Sequence, residues 1–307
     1  MILTYKIEEK DTGKLLKDIL KKKLYISTEL MKKLKLKKLI YVNNIPTFVN
    51  YIVNENDIVK IDLNDYISTK EKLKFEDKFP LVDKPLNILY EDKYLLIVSK
   101  DTDMPIHPST DNYDNTLANI VASYLKKQNI FHMHIITRLD RDTTGVCIFA
   151  KNEYIQELFA RKKDSIAMKK EYIAIVNGIL KKDHDIIEKN IDRMDGTIIL
   201  REVVDNNKGY YAKTEYTVLN RNTKNNYTVI DITLHTGRTH QIRVHMLSEA
   251  HVLLGDTIYA EHYGIENINA FISRQALHAK RISFFHPITN EFISIDSPIP
   301  EDMLKLI

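Results

Sequence analysis

A chain of 307 residues, 44% of them apolar, can bury one large core and one small one, which sets it apart from disordered and fibrous sequences. Its single cysteine, Cys147, rules out a disulfide within the chain, and no apolar run approaches the roughly 20 residues that a membrane helix needs. The net charge of +3 conceals an asymmetry: residues 1–63 hold 13 Lys against 8 Asp and Glu, so the positive charge is concentrated at the front.

The opening Met1-Ile2-Leu3-Thr4-Tyr5-Lys6 lacks the charged start and long apolar centre of a signal peptide, so a cytoplasmic protein is expected. Lys14, Lys17, Lys21, Lys22 and Lys23, then Lys32, Lys33, Lys35, Lys37 and Lys38, interleave with Leu15, Leu16, Ile19, Leu20, Leu30 and Leu34 at helical spacing. Two short helices with a basic face suit phosphate binding, although a merely solvated lysine face would give the same pattern. Two short alternating strands follow, at Leu39 to Val42 and Asp57 to Asp62, completing a compact αα-then-β unit. Residues 64–83, through Asn64-Asp65 and Lys70-Glu71-Lys72, have weak periodicity and read as a linker. From residue 84 onward apolar strands dominate: 95–98, 146–150, 172–176, 216–219, 229–234 and 281–285. They do not alternate regularly with helices, so an α+β fold around a mixed sheet is expected rather than a doubly wound one. Cys147, inside one of these runs, should pack as a small hydrophobe.

Chemistry concentrates in two segments. Thr137-Arg138-Leu139-Asp140-Arg141-Asp142-Thr143-Thr144-Gly145 sets one carboxylate between two arginines just before a buried strand, the way an enzyme presents a nucleophile or base. Only ten of the 45 basic residues are Arg, none before Arg138, so an arginine in this chain is expected where its planar fork is needed. Two more, Arg238 and Arg243, fall in Thr236-Gly237-Arg238-Thr239-His240-Gln241-Ile242-Arg243-Val244-His245-Met246, which reads as a strand end, a Gly237 turn and a helix able to meet an anionic ligand. His240 and His245 are five apart, and His132 with His134 lacks a third ligand, so no metal is expected. No glycine-rich phosphate loop appears, and no nucleotide cofactor is expected. Asp142 reads as structural, since the two arginines beside Asp140 supply its counter-charge.

These segments resemble the RluA-type RNA pseudouridine synthases. The family's His-Arg-Leu-Asp-x-x-Thr-Ser-Gly signature corresponds to Thr137 to Gly145, and its Lys-x-Tyr-x-Ala-x-Val-x-Gly strand to Lys170 through Gly178. Its Thr-Gly-Arg-Thr-His-Gln-Ile-Arg-Val-His-Met segment stands unchanged at Thr236 to Met246, and Leu254-Gly255-Asp256, Ala276-Leu277-His278-Ala279 and His286-Pro287 fit as well. Residues 12–62 look like the S4-type RNA-binding domain that many members carry. Two departures stand out: Thr137 replaces the usual His, and Ser99-Lys100-Asp101-Thr102-Asp103 keeps only the lysine of an Asn-Lys-Pro-x-Gly loop before Ile106-His107-Pro108.

The resemblance implies an S4-like RNA-binding domain at 1–63 and a catalytic domain at 84–307 built on a mixed, mainly antiparallel sheet. It implies an isomerase acting on structured RNA, with large-subunit ribosomal RNA ahead of transfer RNA, no cofactor and a monomeric state by default. Asp140 would be the catalytic carboxylate, Arg243 its partner, and Tyr172 the aromatic that stacks on the target base and accepts the C5 proton. Arg138, Arg238, His240, Gln241, Leu277, Lys100 and His107 would line the substrate, with Arg138 gripping phosphate or splaying the target nucleotide. The competing classes are a silent RNA-binding or ribosome-assembly factor and an unrelated Asp-dependent hydrolase, for which several clustered acids around a divalent ion would be expected.

Overall fold

The computed structural model describes residues 1–64, 66–109, 113–205 and 207–307; Asp65, inside the expected linker, lies outside them. Residues 1–63 form a four-stranded antiparallel sheet, ordered Ile2–Lys6, Ile58–Asp62, Ile40–Val42, Ile45–Pro46, and two helices. Helix Leu16–Lys22 buries Leu16, Ile19 and Leu20, one stripe at i, i+3 and i+4, and helix Thr28–Leu36 buries Leu30, Met31 and Leu34. Ser27 caps the second helix by accepting from the Leu30 N–H at 3.1 Å. The weakly periodic linker contains a helix, Thr69–Lys78, started by a Ser68/Glu71 capping box, a local signal that hydrophobic periodicity alone does not carry.

In the rest of the chain the described residues build one ten-stranded sheet, mostly antiparallel, as expected for an α+β fold. Its main path runs His184–Glu188, Lys213–Asn222, Tyr227–Leu234, Lys169–Asn177, Leu277–Phe285, Thr144–Ala150, Leu95–Lys100, Ile88–Glu91. The central strand Thr144–Ala150 is buried on both faces, and its alternation splits it between two cores. Val146, Ile148 and Ala150 join one that includes Ile155 and Leu158 of helix Glu153–Arg161. Cys147 and Phe149 join another beneath helix Leu117–Lys127. Cys147 thus packs as an apolar residue, and burial pushes its thiol up to about 12. The first core also takes in the inner faces of residues 1–63, so the N-terminal unit shares apolar packing with the main sheet.

Thr144–Ala150 pairs in parallel with Leu277–Phe285 at His278↔Thr144 and Ala279↔Gly145. There Gly145 has φ +115, and a Cβ would come within 2.3 Å of the Ala279 carbonyl oxygen. Gly145→Ala is expected to cost about 2–3 kcal/mol, combining strained backbone with overpacking, and urea titration of the two proteins checks it. The pairing matters because it brings the aspartate loop at 137–143 alongside Leu277.

Candidate active site

The sheet's central strands end around a cavity of about 410 Å³ whose walls include Asp140, Arg138, Tyr172, His240, Arg243 and Leu277. Sequence-distant segments meet here because Lys169–Asn177 lies between Tyr227–Leu234 and Leu277–Phe285, while helix Gln241–Ser248 follows the Gly237 turn back over the strand ends. Tyr172 and Leu277 are buried and belong to one apolar cluster, and Asp140 is partly exposed to the cavity. Burial pushes the Tyr172 phenol well above its ordinary pKa, so it faces the cavity as a neutral hydroxyl and ring.

Arg243 joins the two predicted segments. Its Nη1 lies 3.3 Å from Asp140 Oδ2, as expected, but its principal partner is Asp256. Nε and Nη2 each donate to one Asp256 oxygen at 2.7 Å, a two-pronged pair in which both side chains are almost wholly buried. Burial opposes charge on Arg243, yet Asp256 and then Asp140 outweigh it and raise the guanidinium pKa further. The group also lies 4.8 Å from the centroid of the buried Tyr259 ring. Asp256 is thus the residue that sequence reasoning missed; the Leu254-Gly255-Asp256 match pointed to it without indicating a partner.

The arginines flanking Asp140 do not pair with it, contrary to expectation. Arg141 turns outward to Asp103 at 3.2 Å and Asp142 at 3.4 Å, and Arg138 is an exposed residue of the cavity rim. After Asp140 the chain turns, the Thr143 N–H donating to the Asp140 carbonyl at 3.2 Å, and the carboxylate's counter-charge comes from Arg243. On the other side of Asp140, His240 Nε2 stands 3.9 Å away. Tyr259 Oη accepts from the Arg201 N–H at 3.0 Å and lies 2.9 Å from His240 Nδ1. With that hydroxyl donating to Nδ1, the ring proton sits on Nε2 facing Asp140. Burial lowers the His240 pKa, favouring the neutral ring.

Two of the expected substrate residues, Gln241 and Lys100, hold the site rather than face it with a spare polar group. Gln241 is buried with its amide fully engaged: Oε1 accepts from Thr236 Oγ1 and the Arg238 N–H, and Nε2 donates to the Lys213 carbonyl and Thr214 Oγ1. Lys100 is buried, and its ammonium donates to the carbonyls of Asp101, Met104 and Arg141 at 2.7–3.0 Å while burial brings its pKa down to about 8. Arg238 stands at the rim, exposed, its Nε donating to the Tyr211 carbonyl at 3.0 Å. His107 is exposed on the cavity edge. Thr137, where a histidine is usual, is buried, and its hydroxyl accepts from the Ile148 N–H at 2.9 Å, fixing the start of the aspartate loop to the central strand. From Thr144 the loop is tied again, its hydroxyl 2.9 Å from His278 Nδ1.

What this arrangement offers chemically is a carboxylate with one cationic partner, an aromatic and an aliphatic side chain in the cavity wall, and cationic side chains at the mouth. A family model described as RNA pseudouridylate synthase matches residues 94–248. An uncharacterized RNA pseudouridine synthase of Bacillus subtilis, YhcT, is 32% identical over 98% of this chain and 94% of its own. The ribosomal large subunit pseudouridine synthase D of Zymomonas mobilis is 34% identical over 73% of this chain and 72% of its own. Among solved structures, human RNA pseudouridylate synthase domain containing 1 superposes with a TM-score of 0.57 at 23% identity, covering 71% of this chain and 85% of that one.

Proposed function

Because the chain belongs to the RluA-type RNA pseudouridine synthases, isomerases that turn a uridine in RNA into its C-glycoside, we propose that Asp140 carries this reaction and that the RNA is large-subunit ribosomal RNA. The reaction breaks the bond from N1 to C1′, turns the uracil within the pocket, joins C5 to C1′ and removes the C5 proton. No atom is gained or lost overall. Asp140 supplies the electron pair that labilises the glycosidic bond. Arg243 fixes the carboxylate's direction, and Tyr172 and Leu277 hold the loose ring between an aromatic and an aliphatic wall. The single observation that carries the assignment is Asp140 facing the cavity 3.3 Å from an arginine that Asp256 itself immobilises. A neutral, buried Tyr172 suits stacking; because a neutral phenol is a poor base, its oxygen takes the C5 proton only as its own hydroxyl proton leaves.

Unmodified large-subunit ribosomal RNA and transfer RNA, incubated with the protein and mapped by carbodiimide adducts, test the proposal. Adducts in the ribosomal RNA are expected; adducts confined to transfer RNA would sink the substrate assignment, and none in either would sink both.

Residues 1–63 we read as the RNA-gripping unit, but on fewer lysines than the sequence suggests. Lys14 and Lys23 turn to the buried Asp11, Lys32 to Glu29, and Lys33 inward to Glu153 and Glu71. Lys17, Lys21 and Lys22 are exposed along helix Leu16–Lys22 and its flank. Replacing these three by Gln is expected to weaken RNA binding and to lower the slope of log K against log salt by about 2, with each phosphate contact worth roughly 0.7–0.9. Binding titrations at several salt concentrations check it; an unchanged slope would place the RNA elsewhere. Deleting residues 1–63 would be a poorer test, since it would strip apolar cover from the main sheet.

A further inference from the structure

We propose that Tyr210, backed by Arg238, is a stacking shelf for an unpaired base of the substrate RNA flanking the target uridine; the proposal rests on the reading of the cavity as a uridine site. Tyr210 is 66% exposed, unusual for an aromatic residue whose backbone is fixed. Its N–H donates to the Ile191 carbonyl at 2.9 Å, and its carbonyl accepts from the Ile191 N–H at 3.0 Å, locking it to the two-stranded ribbon Asn190–Arg193 and Arg201–Val204. The preceding Gly209 has φ +64, and a Cβ there would meet the Ile191 carbonyl oxygen at 2.7 Å, so the turn that presents Tyr210 requires glycine.

One face of the ring is backed by the Arg238 guanidinium, 5.6 Å from its centroid. Arg238 is itself held by the Tyr211 carbonyl through Nε and by Gln241 through its N–H, and it lines the same cavity as Asp140. The neighbouring Tyr211 is turned aside by its hydroxyl, which donates to Glu188 at 3.1 Å. A ring on a fixed backbone, with one face on a cation that lines the uridine pocket and its remaining surface open to water, has the chemistry of a base platform. It grips any base through its π face and needs no hydrogen bond to do so.

The test is binding of a fluorescein-labelled oligouridylate of roughly twelve nucleotides to the intact protein and to its Tyr210→Leu and Tyr210→Phe variants at several salt concentrations. Tyr210→Leu is expected to weaken binding about tenfold with the salt slope unchanged, while Tyr210→Phe stays within about twofold of the parent. The shelf is overturned if Tyr210→Leu binds like the parent, or if Tyr210→Phe is equally impaired, which would mean a hydrogen bond. It is overturned too if the slope falls as for a lost phosphate contact, or if the parent does not bind the oligomer saturably. Carbodiimide mapping on ribosomal RNA runs in parallel. Absence of modification together with the expected Tyr210→Leu loss would overturn the ribosomal assignment and leave the shelf standing.

Discussion

Asp140→Asn is expected to lower pseudouridine formation by roughly 10⁴-fold or more while the protein stays folded and keeps its RNA affinity. The change is nearly isosteric and removes only the charge and one electron-pair donor. Arg243 is not stranded by it, because its two short contacts at 2.7 Å are to Asp256 and its single contact to Asp140 is the longer, at 3.3 Å. The unfolding free energy should therefore move by less than about 1 kcal/mol, the usual scale of one partly exposed contact. Activity within tenfold of the parent would remove Asp140 from the chemistry, and a large loss of stability would make it a structural acid instead.

Asp256→Ala should do the reverse in order of severity. It leaves the guanidinium of Arg243 buried with only the longer contact to Asp140, and breaking a buried pair by removing one partner costs about 3–5 kcal/mol. Urea titration should show that loss. The folded fraction should still be slow, since an arginine no longer held by two prongs does not fix Asp140. Asp256→Asn keeps the shape and one good acceptor and should fall between the two. A loss under about 1 kcal/mol for the alanine variant would mean that water or a rearranged neighbour takes the place of Asp256. Arg243→Lys should not rescue either function, because a single ammonium cannot span both Asp256 oxygens and still reach Asp140.

The apolar runs at 95–98, 146–150, 172–176, 216–219, 229–234 and 281–285 all lie in strands, since a buried strand announces itself locally through its composition. The ribbon at Asn190–Arg193 and Arg201–Val204 and strand His184–Glu188 carry weaker apolar patterns and depend on cross-strand partners, so they escaped notice. At the site, the residue types were legible, and Asp140, Tyr172, Arg243 and Leu277 do meet. The pairings were not. Arg138 and Arg141 stand within two residues of Asp140 in sequence yet neither pairs with it, whereas Asp256 reaches Arg243 where the chain turns at Gly255, with φ +71 and no room for a Cβ beside the Arg274 carbonyl. Gln241 and Lys100 were likewise recognisable as special but not as braces: backbone carbonyls engage Lys100, and backbone groups with the Thr214 and Thr236 hydroxyls engage Gln241, which no side-chain motif records.

Lys100 has a consequence for how the site can change over time. Its ammonium ties Asp101 and Met104 to Arg141, the residue after Asp140; the Met104 N–H bonds the same Arg141 carbonyl, and Asp103 pairs with the Arg141 side chain. Two loops forty residues apart in the chain are therefore mechanically one piece. A replacement or deletion within 101–104 would be felt as a tilt of the Asp140 carboxylate. This segment, which has lost the proline and glycine usual in its family, can thus tune the reaction's geometry without contributing an atom to it.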